Sequence, residues 1–221
     1  MDRLFTVEVR WFFTGLVPAE VQDWFANRLP GSNLLIEKPR TDIYFIIHER
    51  DDLGLKLSRG SLELKWRMDA QAFSLTAPPI TGVKETWIKE KWRYAKNHAD
   101  KIAKAFGKPN LKGWRLEIPK NRSVREYRAD NSGEITALTQ FLDFDALTGE
   151  AYAPVIIIEL TILSKGGKPG WTLGVEAAGA PEISQEIFAQ ACQELLRDYP
   201  QLDLQDHSSY GYPRWVAQAD D

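Results

Sequence analysis

LGLKLSRGSLELKWR, residues 53–67, holds two runs of strict alternation on either side of an Arg-Gly-Ser turn, the pattern of a β-hairpin. In the first arm Leu53, Leu55 and Leu57 share one face and Lys56 and Ser58 the other. In the second arm Leu62, Leu64 and Trp66 oppose Glu63, Lys65 and Arg67, because successive side chains on a strand point to opposite sides. One face of the hairpin is apolar and the other strongly basic. Its surroundings decide whether that basic face borders bulk water or encloses a site for an anion.

The totals set bounds. The chain has 221 residues, 43% of them hydrophobic, with 28 Lys and Arg against 31 Asp and Glu for a net charge of -3. A chain of this size can bury a substantial core, and no linker, repeat or low-complexity stretch divides it, so one domain over residues 1–221 is expected. A slightly acidic protein does not coat a nucleic-acid backbone over a broad surface; any anion site must be a local concentration of charge. The one cysteine, Cys192, excludes an intrachain disulfide framework and a Cys-rich zinc site, and its helical apolar neighbours mark it as a core residue. The start, MDRLFTVEVRW, has no apolar run of a secretory signal, and no segment reaches the roughly 20 apolar residues of a membrane span. A soluble, cytoplasmic protein with no membrane partner is expected.

Alternation extends through the chain. Phe5 to Phe12 sets Phe5, Val7, Val9 and Trp11 against Thr6, Glu8 and Arg10. A helix follows from Pro18, with Val21, Trp24, Phe25 and Leu29 at helical spacing before Pro30 and Gly31. Thr41 to His48 (TDIYFIIH) is rich in β-branched and aromatic residues and reads as a strand. Met68 to Gly82, with Pro78, Pro79 and Gly82, reads as a long connection. Thr86 to Tyr94 places Lys89, Lys91 and Arg93 on one side of a strand, and a short helix from Asn97 to Phe106 is expected beyond it. Leu111 to Ile118 reads as a strand, followed by the basic segment PKNRSVREYR with Lys120, Arg122, Arg125 and Arg128; Arg128 reads as part of a solvated face. Ser132 to Thr148 fits a helix or a bent strand equally well. Pro154 to Leu163 is the most apolar run, with Glu159 inside it, where a charge is expensive unless it meets water, a counter-charge or a metal. Lys165 to Gly170 is a hairpin turn, Trp171 to Ala178 a strand with Thr172, Gly174 and Glu176 on one face, and Pro181 to Tyr199 an amphipathic helix.

Gathered together, the polar faces of these strands carry bases and acids, with bases in the majority. Two architectures accommodate them. Closure with polar faces inward makes a cationic tunnel suited to a polyphosphate and its divalent cation; an open antiparallel sheet leaves the charged face solvated and covers the apolar face with helices. Periodicity alone favours the second. There is no Walker A, G-x-G-x-x-G or H-E-x-x-H motif, and His48, His98 and His207 are scattered.

The order of pieces resembles the CYTH, or triphosphate tunnel metalloenzyme, superfamily, whose first strand carries Glu-x-Glu-x-Lys. The matching segment here is Thr6-Val-Glu8-Val-Arg10, followed by a helix, the Tyr-bearing strand TDIYF, the basic hairpin, Lys120-x-Arg122, two acid-bearing strands (IELTIL and WTLGVEA), an amphipathic helix and a C-terminal Ser209-Tyr210. The resemblance implies an α+β fold: an eight-stranded antiparallel β-barrel, or tunnel, with helices packed outside. It further implies that Glu8, Glu159 and Glu176 hold Mg²⁺ or Mn²⁺. Arg10, Lys56, Lys65, Arg67 and Arg122 would grip phosphate oxygens, with Lys89, Lys91 and Lys120 adding to the cationic lining. The activity implied is metal-dependent hydrolysis of an inorganic or organic triphosphate, since cations neutralise phosphates while a divalent ion polarises the phosphoryl group and activates water. Two departures bear on it. Arg10 replaces a lysine and still grips phosphate, whereas Thr6 replaces the first glutamate and removes a metal-ligating carboxylate. The alternative is therefore a non-catalytic polyphosphate- or organic-phosphate-binding protein with a degenerate metal site.

Overall fold

The computed structural model describes residues 2–31, 33–93, 114–130, 134–140, 142, 154–179, 181–200 and 204–218. Among these residues the strands are β1 (Asp2–Thr14), β2 (Leu35–Ile36), β3 (Arg40–Phe45), β4 (Leu53–Ser58), β5 (Ser61–Thr76), β6 (Pro79–Arg93), β7 (Arg115–Ala129), β8 (Ile135–Ala137), β9 (Val155–Lys165) and β10 (Lys168–Ala178). Eight of them close an antiparallel barrel in the circuit β1–β6–β5–β4–β3–β7–β9–β10 and back to β1, with the β7–β9 ladder as its closing seam. The short strands β2 and β8 continue along the edge of β7 that also carries β3. The helical elements are α1 (Ala19–Asp23), which runs into a π-helical turn (Trp24–Arg28), then α2 (Pro181–Leu195), a 3₁₀ turn (Asp206–Ser208) and α3 (Tyr212–Ala217). No helix among the described residues is long and apolar enough to cross a membrane.

The hairpin that opens the sequence reading is β4–β5. Ser58 pairs with Ser61, so Arg59 and Gly60 form a two-residue turn with φ of 48° and 74°. Both are left-handed, the turn geometry that matches the natural twist of two antiparallel strands. Lys56 faces Glu63 and Gly54 faces Lys65 across the ladder, which turns the basic face to one side of the sheet.

The main apolar core lies outside the barrel wall. Val7, Val9 and Trp11 of β1, Ile156, Ile158 and Leu160 of β9, and Leu173, Val175 and Ala177 of β10 point outward. They pack against Val21, Trp24 and Phe25 of the first helical segment and Ile187, Phe188, Ala191, Cys192 and Leu195 of α2. Burying that layer supplies the hydrophobic drive for closure and leaves the opposite parity of the same strands facing inward. Arg125 fastens the first helix to the wall by donating to the carbonyls of Phe25, Ala26 and Gly31, groups that a helix C-terminus otherwise leaves unsatisfied. A second, smaller cluster plugs the barrel: Phe12, Tyr44, Ile118 and Leu163 meet Tyr212 and Val216 of α3. Ser209 and Tyr210 anchor that plug, since Ser209 accepts from Val83 N–H at 2.8 Å while Tyr210 N–H donates to Arg10 C=O at 3.1 Å and its ring stacks on Phe12.

The strands differ from the sequence reading in three places. Residues 68–82 are not a connection: β5 and β6 run through them as a long ladder from Ser61↔Arg93 to Thr76↔Pro79, with a bulge between Arg67 and Asp69. The strand expected to end at Ile118 and the basic segment after it are one strand, β7; Pro119 is exposed and precedes the first residue paired with β9, Lys120. β3 begins at Arg40 and stops at Phe45. The helix expected at 97–106 lies outside the described residues, as does most of 132–148 apart from β8 and its neighbours.

Candidate functional site

The inward faces enclose a cavity of about 460 Å³ lined by nine lysines and arginines and seven glutamates. Strand alternation selects them. In the run VIIIELTIL, Ile156, Ile158 and Leu160 enter the helix-covered core, while Glu159 and Thr161 face the lumen, which resolves the apparent cost of a charge in that segment. On β1 the same parity turns Glu8 and Arg10 inward, with Glu8 opposite Glu176 and Arg10 opposite Gly174 on β10.

Glu159 is the hub of one charge group. Arg10 Nη1 donates to its Oε1 at 2.8 Å, Thr161 Oγ1 donates to the same oxygen at 2.9 Å, and Arg122 Nε donates to Oε2. Arg122 also reaches Glu37 Oε1 at 2.9 Å. Burial alone would raise the Glu159 carboxyl; Arg10, Arg122 and Lys120 outweigh it and hold the group well below the usual carboxylate range. Gly174 makes this arrangement possible. A Cβ there would stand 2.7 to 2.9 Å from the Arg10 guanidinium, so the planar group lies flat on bare backbone.

A second group runs across four neighbouring strands. Lys65 Nζ donates to Glu8 Oε1 at 2.9 Å and sits over the Trp87 ring at 4.0 Å. Lys89 Nζ donates to both Glu176 oxygens at 2.7 Å and lies 3.9 Å from Glu8 Oε2. Burial raises the Glu8 carboxyl, yet Lys65, Lys89 and Arg10 override it and keep the carboxylate ionised far below its ordinary range.

The third group is less compensated. Lys120, buried, donates to Tyr44 Oη at 2.7 Å and lies over the Tyr212 ring at 3.7 Å, and its contact with Asp42 Oδ2 is 3.6 Å. Asp42 is already engaged by Ser58 Oγ at 2.6 Å and Arg40 Nε at 3.0 Å on its other oxygen. Burial pushes the Lys120 ammonium well below the ordinary lysine value and Asp42 offsets only part of that. Nearby, Arg10 Nε and the Tyr212 hydroxyl are buried without a hydrogen-bond partner, as is Thr6 Oγ1. Buried donors without partners are uncommon and call for an explanation.

Of the cations expected from sequence to grip phosphate, Arg10, Lys56, Lys65, Lys89, Lys91, Lys120 and Arg122 line this cavity. Arg67 does not: it is held by Glu85 at 2.8 Å and by Asp51 at 3.0 Å. Glu8, Glu159 and Glu176 all line the cavity, but each is engaged by the protein's own lysines or arginines. No three His, Cys, Asp or Glu side chains among the described residues form a group able to hold a metal ion. The donor set therefore does not fit the divalent ion that the family resemblance implies. Arg128 is exposed, His48 packs edge-on against Trp114, His207 is exposed on the 3₁₀ turn, and His98 lies outside the described residues. Burial drives the Cys192 thiol well above its ordinary value, which makes it inert packing.

Sequence reasoning missed Arg40, Asp42, Tyr44, Glu37 and Tyr212. The alternation of β3 carried a signal for the first three, since Arg40, Asp42 and Tyr44 share one parity; Tyr212 and Glu37 sit in irregular or very short segments with no period to read. No protein-family model matches the chain, and no curated protein matches it.

Proposed function

We propose that the barrel lumen binds a polyphosphate-type anion, inorganic or organic, within a CYTH-like tunnel. The observation that carries this reading is the Arg10–Tyr212–Lys120 cluster. Two buried cations pack on one aromatic ring, Lys120 at 3.7 Å and Arg10 at 5.1 Å, and the cluster has spare donors in Arg10 Nε and the Tyr212 hydroxyl. Asp42 Oδ2 stands 3.6 Å from Lys120 Nζ, beyond hydrogen-bonding distance. A phosphate oxygen here would accept charge-assisted hydrogen bonds, the strong kind, and relieve the desolvation of an ammonium that burial disfavours. Arg122 and Lys56 line the same lumen and add to its positive charge.

Calorimetric titration with tripolyphosphate tests the reading. One saturable site is expected, weakening as salt screens the lumen, and no heat with tripolyphosphate, ATP or pyrophosphate would refute it. Hydrolysis of a triphosphate with Mg²⁺ or Mn²⁺ is the second reading. It draws on the convergence of Glu8 and Glu176 on a single cation, Lys89, and is weakened because that cation is a lysine. Release of phosphate from tripolyphosphate or ATP with either metal would establish it, and no release with both would sink it.

A further inference from the structure

The family resemblance assigns Glu8 and Glu176 to a divalent cation, but a protein cation stands between them. Lys89 reaches in from β6, the strand next to β1; its ammonium donates to both oxygens of Glu176 on β10 at 2.7 Å and lies 3.9 Å from Glu8 Oε2 on β1. The other Glu8 oxygen accepts from Lys65 at 2.9 Å. Glu159 offers no free oxygen either, as Arg10 and Thr161 take Oε1 and Arg122 takes Oε2. At the position of the resembled motif's first glutamate, Thr6 is fully buried with its hydroxyl unpartnered, so the carboxylate that would tip the balance toward a doubly charged ion is missing.

We infer that Lys89 is a tethered cation that takes the place of a divalent metal in this lumen, and that the barrel binds its anion without Mg²⁺ or Mn²⁺. A hydrated divalent ion needs several hard oxygen ligands. To enter, it would have to displace an ammonium already seated on two carboxylates and held there by its own strand. The ammonium keeps the carboxylates from repelling an incoming polyanion, which is the electrostatic half of what a metal does; it supplies no open coordination position for water, so the Lewis-acid half is absent. The consequence for ligand binding rests on the polyphosphate reading above, whereas the statement about the metal does not.

Titration of the full chain with Mn²⁺, followed by the paramagnetic resonance signal of free Mn²⁺, is expected to show no saturable site. A single site abolished by Glu8→Gln would overturn the inference. Thermal unfolding with tripolyphosphate is expected to give an upward shift in EDTA at least as large as in Mg²⁺, and a shift seen only with Mg²⁺ or Mn²⁺ would likewise overturn it. No shift under any of these conditions would remove the polyphosphate reading while leaving the metal question to the Mn²⁺ titration. In the opposite direction, Lys89→Met frees Glu176 and one side of Glu8. This variant is expected to gain a saturable Mn²⁺-dependent rise in melting temperature that is lost again with Glu176→Gln in the same background. A folded Lys89→Met protein that gains no Mn²⁺ site contradicts the role given to Lys89; should the variant fail to fold, the wild-type Mn²⁺ titration decides alone.

Discussion

Replacing Glu159 by glutamine tests the electrostatics of the lumen at their hub. The substitution keeps shape and one acceptor oxygen but removes the negative charge that Arg10 and Arg122 share. Arg122 retains Glu37 at 2.9 Å; Arg10 retains Thr172 Oγ1 at 3.4 Å, the Tyr212 ring and, among carboxylates, the more distant influence of Glu8 and Glu176. Removing one member of a buried pair costs about 3–5 kcal/mol, and the surviving Glu37 contact places this case near about 3 kcal/mol. For a chain of this size each kcal/mol moves the melting temperature by about 2–4 °C, so a fall of about 6–12 °C is expected in thermal unfolding at pH 7. The sign with pH follows from the depressed folded-state value of Glu159. Its stabilisation is fully present above the unfolded carboxyl value, near 4.5, and is lost as pH falls through the folded one, so the gap between wild type and variant narrows only under acid conditions. Tripolyphosphate should raise the variant's melting temperature more than the wild type's, because a polyanion now neutralises two under-compensated guanidinium groups; tenfold tighter binding adds about 1.4 kcal/mol at saturating ligand. A variant as stable as wild type would refute the compensation argument. A smaller ligand-induced shift would show that the carboxylate itself serves the ligand, as a metal-bridged site requires.

Other outcomes follow from single contacts. Lys120→Met should leave the empty protein within about 1 kcal/mol of wild type, since it exchanges a disfavoured buried ammonium for an apolar chain of similar length at the loss of one hydrogen bond to Tyr44 and of the 3.6 Å contact with Asp42, which Arg40 and Lys56 still face, and it should weaken tripolyphosphate binding at least tenfold by calorimetry. In the wild type, binding should weaken as pH rises through the depressed Lys120 value, because only the protonated form grips phosphate; titrations at stepped pH report that loss. Gly174→Ala places a methyl against the Arg10 guanidinium and should cost about 1–2 kcal/mol while impairing anion binding, read by the same titration. Arg128→Ala, at an exposed position, should change neither melting temperature nor binding.

Local alternation carried most of what was legible in the sequence. The hairpin at 53–67, the inward parity of Glu8 and Arg10, and the shared face of Thr172, Gly174 and Glu176 all follow from a period of two and reappear in the barrel. Closure was not legible from that period, because it depends on β7 pairing with β9, from Arg128↔Val155 to Lys120↔Leu163, a contact between segments distant in sequence that neither strand announces. The side facing inward depends on the same fact: Ile156, Ile158 and Leu160 could cover a sheet or line the outside of a barrel, and the helices that bury them decide it. Proline hides strand continuity here. Pro78 and Pro79 make residues 68–82 read as a connection although Phe73, Leu75 and Ile80 are buried in the β5–β6 ladder, and β7 runs on through Pro119, which is exposed. Among the site residues, Arg67 shows the limit of parity. It shares a strand face with Lys65 but stands before a bulge, where Glu85 and Asp51 capture it.

The central claim, a lumen built to hold a polyanion on Arg10, Tyr212 and Lys120, is tested most directly by calorimetric titration of tripolyphosphate into wild-type protein and Lys120→Met, side by side in EDTA at low salt. The account predicts one saturable site in the wild type, weakened at least tenfold in the variant and diminished in both by added salt. Absence of binding in the wild type, or equal affinity in the two proteins, would contradict it.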